Sequence, residues 1–355
     1  MRFFTFKGLL LTTIFMLLGC LSIQAEDDEL ITKQVTVKLD EAGTLPDKIG
    51  SAKKYKITNL KIIGEINGTD WRMIRDMAGR NVSHDETEGN LSELDLSDAS
   101  IVPGGDYYIT CAYFGYPSKI HTSHQVIGDL AFEGCSGLTS LKLPSDIRLI
   151  GRHAFEGCSG LTSITLPSGV TEIGSSAFYG CSGLTSITLP SGVTEIGSSA
   201  FYGCSGLTSI TLPSGVTWIG HSAFEGCSGL TSITLPSGVT EIGKSAFANC
   251  SGLTSIYVYA EKMPKLRTNM FDGCDAKKCT VYVPKGTYDD YWLSEFGYFE
   301  NIVEFEATGI NNVVTSNDAK ELSRYSVNGQ RLSAPTKGLN IVKYSDGSVK
   351  KVVVQ

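Results

Sequence analysis

A segment of 23 residues is repeated along this sequence with few changes. Cysteines mark the period. Six of them are 23 residues apart and a seventh follows after 24: Cys135, Cys158, Cys181, Cys204, Cys227, Cys250 and Cys274. A period of this length is typical of solenoids, in which each copy forms one coil and contacts only its neighbours. The repetition therefore predicts a stack of coils over residues 126–274.

The copy that begins at Leu161 shows how one coil is built. Leu161, Ile164 and Leu166 have the spacing of a short strand whose apolar side chains point inward. Ser163 and Thr165 alternate with them, so we expect both on the outer face. A Pro-Ser-Gly turn, a second extended piece and an Ala-Phe pair complete the coil. One coil buries too little apolar surface to fold alone, so stacking must supply the remaining stability.

The cysteines from Cys135 to Cys250 are predicted to form a column of buried thiols. Ten cysteines in an exported chain would ordinarily indicate disulfides. However, residues of one column point the same way at about 4.8 Å spacing, which exceeds the usual Cβ separation of a disulfide. Cys274 and Cys279 lie in a loop-like stretch, where pairing with each other is the alternative. Neither arrangement has the spacing of a zinc site.

The first residues have the pattern of an export signal. Arg2 and Lys7 precede the apolar run GLLLTTIFMLLG, which is too short to be a good membrane span, so we expect no transmembrane helix in the mature chain. Two cleavage sites remain open. Cleavage after IQA removes residues 1–25, whereas the LLGC segment resembles a bacterial lipobox, which would remove residues 1–19 and lipidate Cys20.

The charge of the chain argues against two classes of partner. The formal net charge is −7, and it becomes −9 without residues 1–25, which carry only Arg2 and Lys7. Nucleic acids and anionic membranes both favour clustered lysine and arginine. The sequence therefore predicts neither as a partner.

Residues 26–125 are predicted to be an N-terminal cap with an aromatic loop. The segment ITNLKIIGEINGTDWRMIRDM indicates a strand at Leu60–Ile63, followed by a helix capped by Thr69 or Asp70. The inner face of this helix would consist of Trp71, Ile74 and Met77.

The loop-like insertion that follows the cap is rich in aromatic residues. Its rings would either form a binding platform or cover the first coil; they are Tyr107, Tyr108, Tyr113, Phe114 and Tyr116. His121 and His124 have a spacing compatible with a metal, but no third ligand type is near, so we predict no metal site.

The chain beyond the array divides into three parts. Residues 275–306 are predicted to form a C-terminal cap whose aromatic side chains close the core. Residues 307–321 are a polar linker. Residues 322–355 have short alternating strands, with turns at Asn328-Gly329 and Asp346-Gly347, and indicate a small β-module.

The repeat GLTSITLPSGVTEIGSSAFYGC resembles the BspA-like branch of leucine-rich repeats, which occurs in surface proteins of Bacteroidetes and of some other bacteria and protists. A Leu-Pro step follows most of the strands, and each coil repeats an Ile-Gly and an Ala-Phe pair. The resemblance covers roughly residues 36–306. It implies a mainly-β leucine-rich repeat solenoid with 23-residue coils, and an adhesin at the cell surface that binds a host extracellular-matrix or cell-surface protein.

The ending of the chain, with YSVNGQRL, KGLNIVK and GSVKKVVV, resembles the C-terminal sorting tails of the type IX secretion pathway of Bacteroidetes. Such a tail implies delivery to the outer membrane or the extracellular space. It normally accompanies an ordinary signal peptide, so it opposes lipidation of Cys20.

The sequence does not predict an enzyme. The array has no nucleophile beside a base and no phosphate-binding loop, and its histidines are His153 and His221. We therefore predict a non-catalytic protein without a cofactor, whose ligand is another protein. A glycan or mucin ligand is the second hypothesis, and a structural role in the cell envelope is the third.

Two surfaces compete as the ligand-binding site. The resemblance implies the strand face, which Lys142 and Tyr257 flank and whose hydroxyl columns consist of Ser163, Thr165, Ser186, Thr188, Ser209, Thr211, Ser232 and Thr234. The other surface surrounds Trp218, which occupies a column that elsewhere holds Glu172, Glu195 and Glu241. We expect Trp218 to be substantially exposed, and exposed aromatic side chains are common contact anchors.

Overall fold

The structure is a computed structural model that describes residues 29–113, 116–305, 321–326, 331–332, 334, 338–344 and 349–354. The predicted export signal with Cys20, most of the linker, and the turns at Asn328-Gly329 and Asp346-Gly347 lie outside the described residues.

Eleven parallel strands form the main sheet, and they are stacked in chain order. The strands are Val35–Lys38, Asn59–Ile66, Glu93–Ile101, Ser140–Lys142, Ser163–Thr165, Ser186–Thr188, Ser209–Thr211, Ser232–Leu235, Ser255–Val258, Thr280–Pro284 and Asn301–Phe305. Because neighbouring strands are parallel, the chain must return to the same end of the sheet between one strand and the next, and it completes one coil in doing so. The predicted mainly-β solenoid is therefore confirmed.

A second parallel sheet of seven short strands is formed by the other extended piece of each coil. In chain order its strands are Val126–Ile127, Leu149–Ile150, Glu172–Ile173, Glu195–Ile196, Trp218–Ile219, Glu241–Ile242 and Lys265–Leu266. The core lies between the two sheets.

Identical residues stack on each other in the core because the strand register pairs each residue with the equivalent residue of the next repeat. Ile164 pairs with Ile187, and Ile187 pairs with Ile210. The phenylalanine rings are nearly parallel, with centroids 5.1 Å apart between Phe155 and Phe178. Each copy thus supplies the apolar contact that a single coil lacks.

The cysteines form the predicted column of buried thiols, and none of the described cysteines is in a disulfide. From Cys158 onward, each thiol of the column donates a hydrogen bond to the phenylalanine carbonyl of the coil before it, as Cys181 does to Phe155 O at 3.1 Å. Burial raises the pKa of Cys181 to about 12. The alternative pairing of Cys274 with Cys279 is not formed, and both side chains are buried as thiols.

Glycines are required where successive coils approach closely. A Cβ on Gly206 would lie 2.5 Å from Ser182 O in the coil before it. Gly137 holds the same position in the first coil of the array, which follows the N-terminal cap and not another repeat, and a Cβ there would have no described atom within 4 Å. The spacing between coils therefore leaves no room for a side chain at this position of the repeat, except in the first coil of the array.

The N-terminal cap supplies the hydrogen-bond donors that a preceding coil would provide. Around the Ala-Phe pair of each array coil, backbone N–H groups donate to the following coil, as Phe155 N does to Ala177 O at 2.8 Å. The equivalent carbonyl in the first coil, Ala131 O, accepts instead from Trp71 Nε1 at 3.1 Å and from the buried Arg75 Nη1 at 3.0 Å. Side chains of the cap thus replace the missing backbone of a coil.

Two helices belong to this cap: α1, Leu45–Ile49, and α2, Gly68–Met77. The predicted inner face of α2 is confirmed, since Trp71 and Met77 are among its buried residues. The predicted N-cap was wrong. Asn67 caps α2, with its side chain accepting from Thr69 N and its own N–H donating to Asp70. Asn67, Thr69 and Asp70 are all suitable capping types, and only the backbone geometry selects among them.

The aromatic insertion contains an antiparallel hairpin of Ile109–Tyr113 and Tyr116–Ile120, so the prediction of a loop was wrong there. Tyr108 is buried and its hydroxyl donates to Asp129 O at 2.7 Å, which closes the first coil. This supports a covering role for that ring. The side chains of Tyr113, Phe114 and Tyr116 lie outside the described residues.

The C-terminal cap ends the core with aromatic side chains, as predicted. A short helix, α3, Tyr288–Trp292, and the 3-10 turn Glu295–Tyr298 follow the tenth strand of the main sheet. Tyr291, Phe296 and Phe299 are buried, and the last two rings pack on Phe271.

A separate antiparallel sheet contains, in order, the strands Arg331–Leu332, Glu321–Ser326, Gly338–Tyr344 and Val349–Val354. None of the helices in the described part of the chain is long and apolar enough to cross a membrane.

Replacing Gly206 by alanine should destabilise the array by about 2 kcal/mol, because the new methyl group overlaps Ser182 O of the preceding coil. The matched control is Gly137→Ala, which lies in the same Cys-Ser-Gly-Leu-Thr context and should change stability by less than about 0.5 kcal/mol. Urea unfolding followed by circular dichroism measures both. Equal effects at the two positions would contradict the close-approach argument.

The thiols of Cys181 and Cys204 should resist labelling by Ellman's reagent in the folded protein, because they are buried and burial raises the pKa of both. Labelling in urea provides the control, since all thiols should then react. The melting temperature should not change in reductant. Rapid labelling of the two thiols without urea would show that the column opens.

Candidate binding surface

The outer side of the main sheet carries two columns of hydroxyl groups, and we call this surface the strand face. The strand pairing aligns Ser163 with Ser186, and Thr165 with Thr188. The predicted side chains all lie on this face. They are Ser163, Thr165, Ser186, Thr188, Ser209, Thr211, Ser232 and Thr234. All of them are exposed except Ser232, which is half-buried.

These hydroxyl groups make no hydrogen bond to any part of the chain that the structure describes. An adjacent threonine column differs, since Thr185 Oγ1 donates to Thr162 O at 3.2 Å and Thr208 Oγ1 donates to Thr185 O at 3.2 Å. That adjacent column joins coils together. The hydroxyls of the strand face retain both donors and acceptors for a ligand.

The N-terminal end of the strand face is charged. Asp95 and Lys142 occupy the threonine column in the two strands before Thr165. Lys142 Nζ lies 2.8 Å from Asp95 Oδ2, and Ser97 donates to Asp95 Oδ1. Burial acts to raise the pKa of Asp95, but the hydrogen bonds from Lys142 and Ser97 outweigh it and lower this pKa to about 2.

The C-terminal end of the strand face is aromatic. Tyr257 and Tyr282 continue the threonine column, with parallel rings whose centroids are 4.6 Å apart. Val303 follows in the same column and is 45% exposed. Sequence reasoning identified only Tyr257. Aligning Thr280–Tyr282 on Ser255–Tyr257 would have placed Tyr282 in this column, but the cap lacks the repeat motif that makes such an alignment evident.

Trp218 is half-buried, so the prediction of substantial exposure was wrong. Its strand pairs with those of Glu195 and Glu241, and the side chain lines a groove of about 680 Å³ with Thr171 and Gly192. Side chains in neighbouring coils are about 5 Å away, close enough to cover part of a large ring. The groove lies on the second sheet and does not adjoin the strand face.

The glutamate column next to Trp218 is not uniform. Glu172 and Glu195 are exposed, as a solvated column would be. Glu241 is ion-paired with Arg267 at 2.8 Å and with Lys265 at 3.7 Å. The hydrogen bond from Arg267 lowers the pKa of Glu241.

The described residues contain no group of three or more His, Cys, Asp or Glu side chains that could hold a metal ion. His121 and His124 are both exposed. Among the array histidines, His153 is bonded to Glu156 of its own coil, and His221 Nδ1 accepts from Lys244 N of the next coil. Neither of these histidines bonds to a hydroxyl of the strand face.

Residues 116–205 and 150–278 match the family described as BspA type leucine rich repeat region, in six copies. None of the curated proteins compared with this sequence matches it.

Several solved structures are similar to this chain. A leucine rich repeat protein of T. pallidum is 33% identical, with a TM-score of 0.36, and the match covers 44% of this chain and 66% of that one, just under two thirds. A leucine-rich repeat protein from Bacteroides ovatus is 24% identical, with a TM-score of 0.33 and coverage of 55% and 67%. A leucine rich cell surface protein from Faecalibacterium prausnitzii is 18% identical, with a TM-score of 0.30 and coverage of 78% and 88%.

Replacing Lys142 by methionine should make the protein less stable at pH 7 by about 1 kcal/mol, because Asp95 loses its ion pair. The pKa of Asp95 is below its usual 3.8 in the folded state. The stabilisation is therefore complete above about pH 4 and is lost as the pH falls toward 2. Urea unfolding at several pH values measures the difference between the variant and the wild type.

The control for this variant is Lys262→Met, which removes an equal charge from an exposed lysine. Its stability difference from the wild type should be small and nearly independent of pH. A Lys142→Met difference that stays constant between pH 7 and pH 2 would argue against the ion pair as its cause.

Proposed function

We propose that this chain, in which residues 116–278 form a BspA-type leucine-rich repeat region, is an exported, non-catalytic binding protein that presents its strand face to another protein. The partner would be a host extracellular-matrix or cell-surface protein. Leucine-rich repeat proteins in general bind proteins, which is consistent with this role.

The observation that carries the proposal is the state of the hydroxyl columns. Ser186, Thr188, Ser209 and Thr211 are exposed, and they make no hydrogen bond to the described part of the chain. They are held on a sheet whose backbone hydrogen bonds continue through all the neighbouring coils. Binding to a rigid surface costs little conformational entropy, so unpaired groups fixed there favour recognition of a ligand.

The two ends of the strand face add contacts of different chemistry. Lys142 is largely exposed beside Asp95, and charged groups at the edge of an interface steer association and fix its orientation. The ring pair of Tyr257 and Tyr282 offers apolar area, and tyrosine is enriched among the residues that dominate binding energy. A surface with charged, hydroxyl and aromatic parts suits a protein partner.

A glycan ligand is the second candidate, because the aromatic rings of Tyr257 and Tyr282 lie in the same column as the threonine hydroxyls. Sugars stack on aromatic rings and exchange hydrogen bonds with hydroxyl groups. A mucin-type polymer would suit the length of the columns. The experiment below separates the two ligands.

Export is supported by the N-terminal pattern of residues 1–25 and by the tail of residues 322–355, which resembles a type IX sorting tail. We infer a location at the cell surface, on the outer membrane or outside the cell. Cleavage after Ala25 agrees with such a tail, and lipidation of Cys20 is the alternative.

Introducing charge on the strand face by Thr188→Glu together with Thr211→Glu should abolish ligand binding without lowering the melting temperature, because both side chains point away from the core. Binding is measured by surface plasmon resonance on immobilised collagen, laminin and fibronectin, and on a glycan array that includes mucin glycans. Binding to the matrix proteins supports the first candidate, and binding to glycans alone supports the second.

The matched control is Ser182→Glu with Ser205→Glu, which adds the same charge to the same two coils at exposed turn positions. This control should bind as the wild type does. Trp218→Ala tests the competing surface. Normal binding by the double threonine variant, together with a loss of about 2 kcal/mol in Trp218→Ala, would assign the contact to the Trp218 groove instead. Failure to bind any matrix protein or glycan would favour a structural role.

A further inference from the structure

A third surface carries a column that is unlike the strand face. The residue after the Ala-Phe pair of each coil is Glu156, Tyr179, Tyr202 and Glu225 in four successive coils. Backbone hydrogen bonds align these positions, since Gly180 N donates to Tyr202 O at 2.7 Å and the coils on either side repeat this bond. Two tyrosines are therefore placed between two glutamates.

The two tyrosine rings are stacked on each other. Their centroids are 4.6 Å apart and their planes differ by 2°. The inner faces cover each other, so each outer face is directed along the column toward a glutamate, Glu156 beyond Tyr179 and Glu225 beyond Tyr202. Both rings are half-buried, which leaves part of each accessible to solvent.

The carboxylates on the two sides of the ring pair differ in their partners. Glu156 is bonded to His153. The side-chain carboxylate of Glu225 makes no hydrogen bond or ion pair within the described part of the chain, and the next residue of its column is the small Ala248. Burial raises the pKa of Tyr179, and the neighbouring Tyr202, Glu156 and Glu225 add to this effect, which is consistent with both carboxylates lying close to the ring pair.

A ring face beside a carboxylate binds cations in the N-terminal cap of this same chain. Arg72 Cζ lies 5.0 Å from the centroid of Tyr107, while its Nη1 is 3.2 Å from Asp106. Lys54 Nζ lies 4.3 Å from the centroid of Tyr55 and contacts Asp76. In both places one cation interacts with a ring and an acid together, which combines a cation–π contact with an ion pair.

From the column we infer a second binding site, formed by Tyr179, Tyr202 and Glu225, for an arginine side chain of a basic peptide segment. The guanidinium group would stack on the outer face of Tyr202 and pair with Glu225. Arginine suits the site better than lysine because its planar group stacks on aromatic rings and is more weakly hydrated. The net charge of −7 also favours a basic partner.

This site is independent of the strand face. Thr188 and Thr211 lie on the main sheet, whereas the tyrosine column follows the Ala-Phe pair. The double threonine variant keeps the tyrosine site intact. The strand-face proposal and the tyrosine-site proposal can therefore each be wrong without the other.

The test uses the full chain and a fluorescein-labelled peptide with four arginines, followed by fluorescence polarisation at low salt. We expect saturable binding that Glu225→Gln weakens about threefold, Tyr202→Ser weakens about threefold and the double variant weakens about tenfold. Tyr202→Phe retains the ring and should bind as the wild type does. The same peptide with citrulline in place of arginine is neutral and should not bind.

The matched control is Glu172→Gln, which removes one exposed carboxylate from the second sheet. Its affinity should equal that of the wild type. An equal loss in Glu172→Gln and Glu225→Gln would show attraction by net charge alone and overturn the site. Unchanged binding by Tyr202→Ser at an unchanged melting temperature, or absence of binding by the wild type, would also overturn it.

Discussion

The close contact of each coil with the next is the constraint on which the rest of this structure depends. Successive coils share backbone hydrogen bonds, thiol-to-carbonyl hydrogen bonds and stacked phenylalanine rings, such as Phe178 on Phe201 at 5.3 Å. A single coil has only local turn hydrogen bonds, such as Ala200 N to Gly197 O, and lacks the thiol and ring contacts, so its stability depends on stacking. The same closeness excludes a side chain at Gly206 and explains why this part of the repeat varies so little.

A stack of coils has two ends, and each end needs chemistry that the repeat does not contain. At the first coil, carbonyl groups that would accept from a preceding backbone accept instead from Tyr108, Trp71 and the buried Arg75. An unpaired buried carbonyl is costly, so these side chains are part of the condition for folding. At the last coil, Phe296 and Phe299 cover Phe271. The caps thus complete hydrogen bonding at one end and apolar burial at the other.

Much of the outer surface is free to vary because the contacts between coils use mainly the inner residues and the backbone. Three outer surfaces differ in their side chains. The strand face carries hydroxyl columns, the second sheet carries the groove of Trp218, and a third column carries the stacked rings of Tyr179 and Tyr202. In each case stacking places the same position of successive coils side by side, so similar side chains at that position form an adjacent pair or a row. A rigid array thereby converts single substitutions into extended binding surfaces.

The sequence by itself determined the solenoid, the inward residues, the thiol column and the outward position of Ser163 and Thr165, because these follow from a period that every copy repeats. Only the tertiary structure decided what depends on neighbours outside the repeat. It placed Asn67 as the helix cap, made Trp218 half-buried between Glu195 and Glu241, and continued the threonine column through Tyr282. Periodicity specifies which side of a coil a residue occupies, whereas its exposure and partners are set by the side chains of adjacent coils and caps.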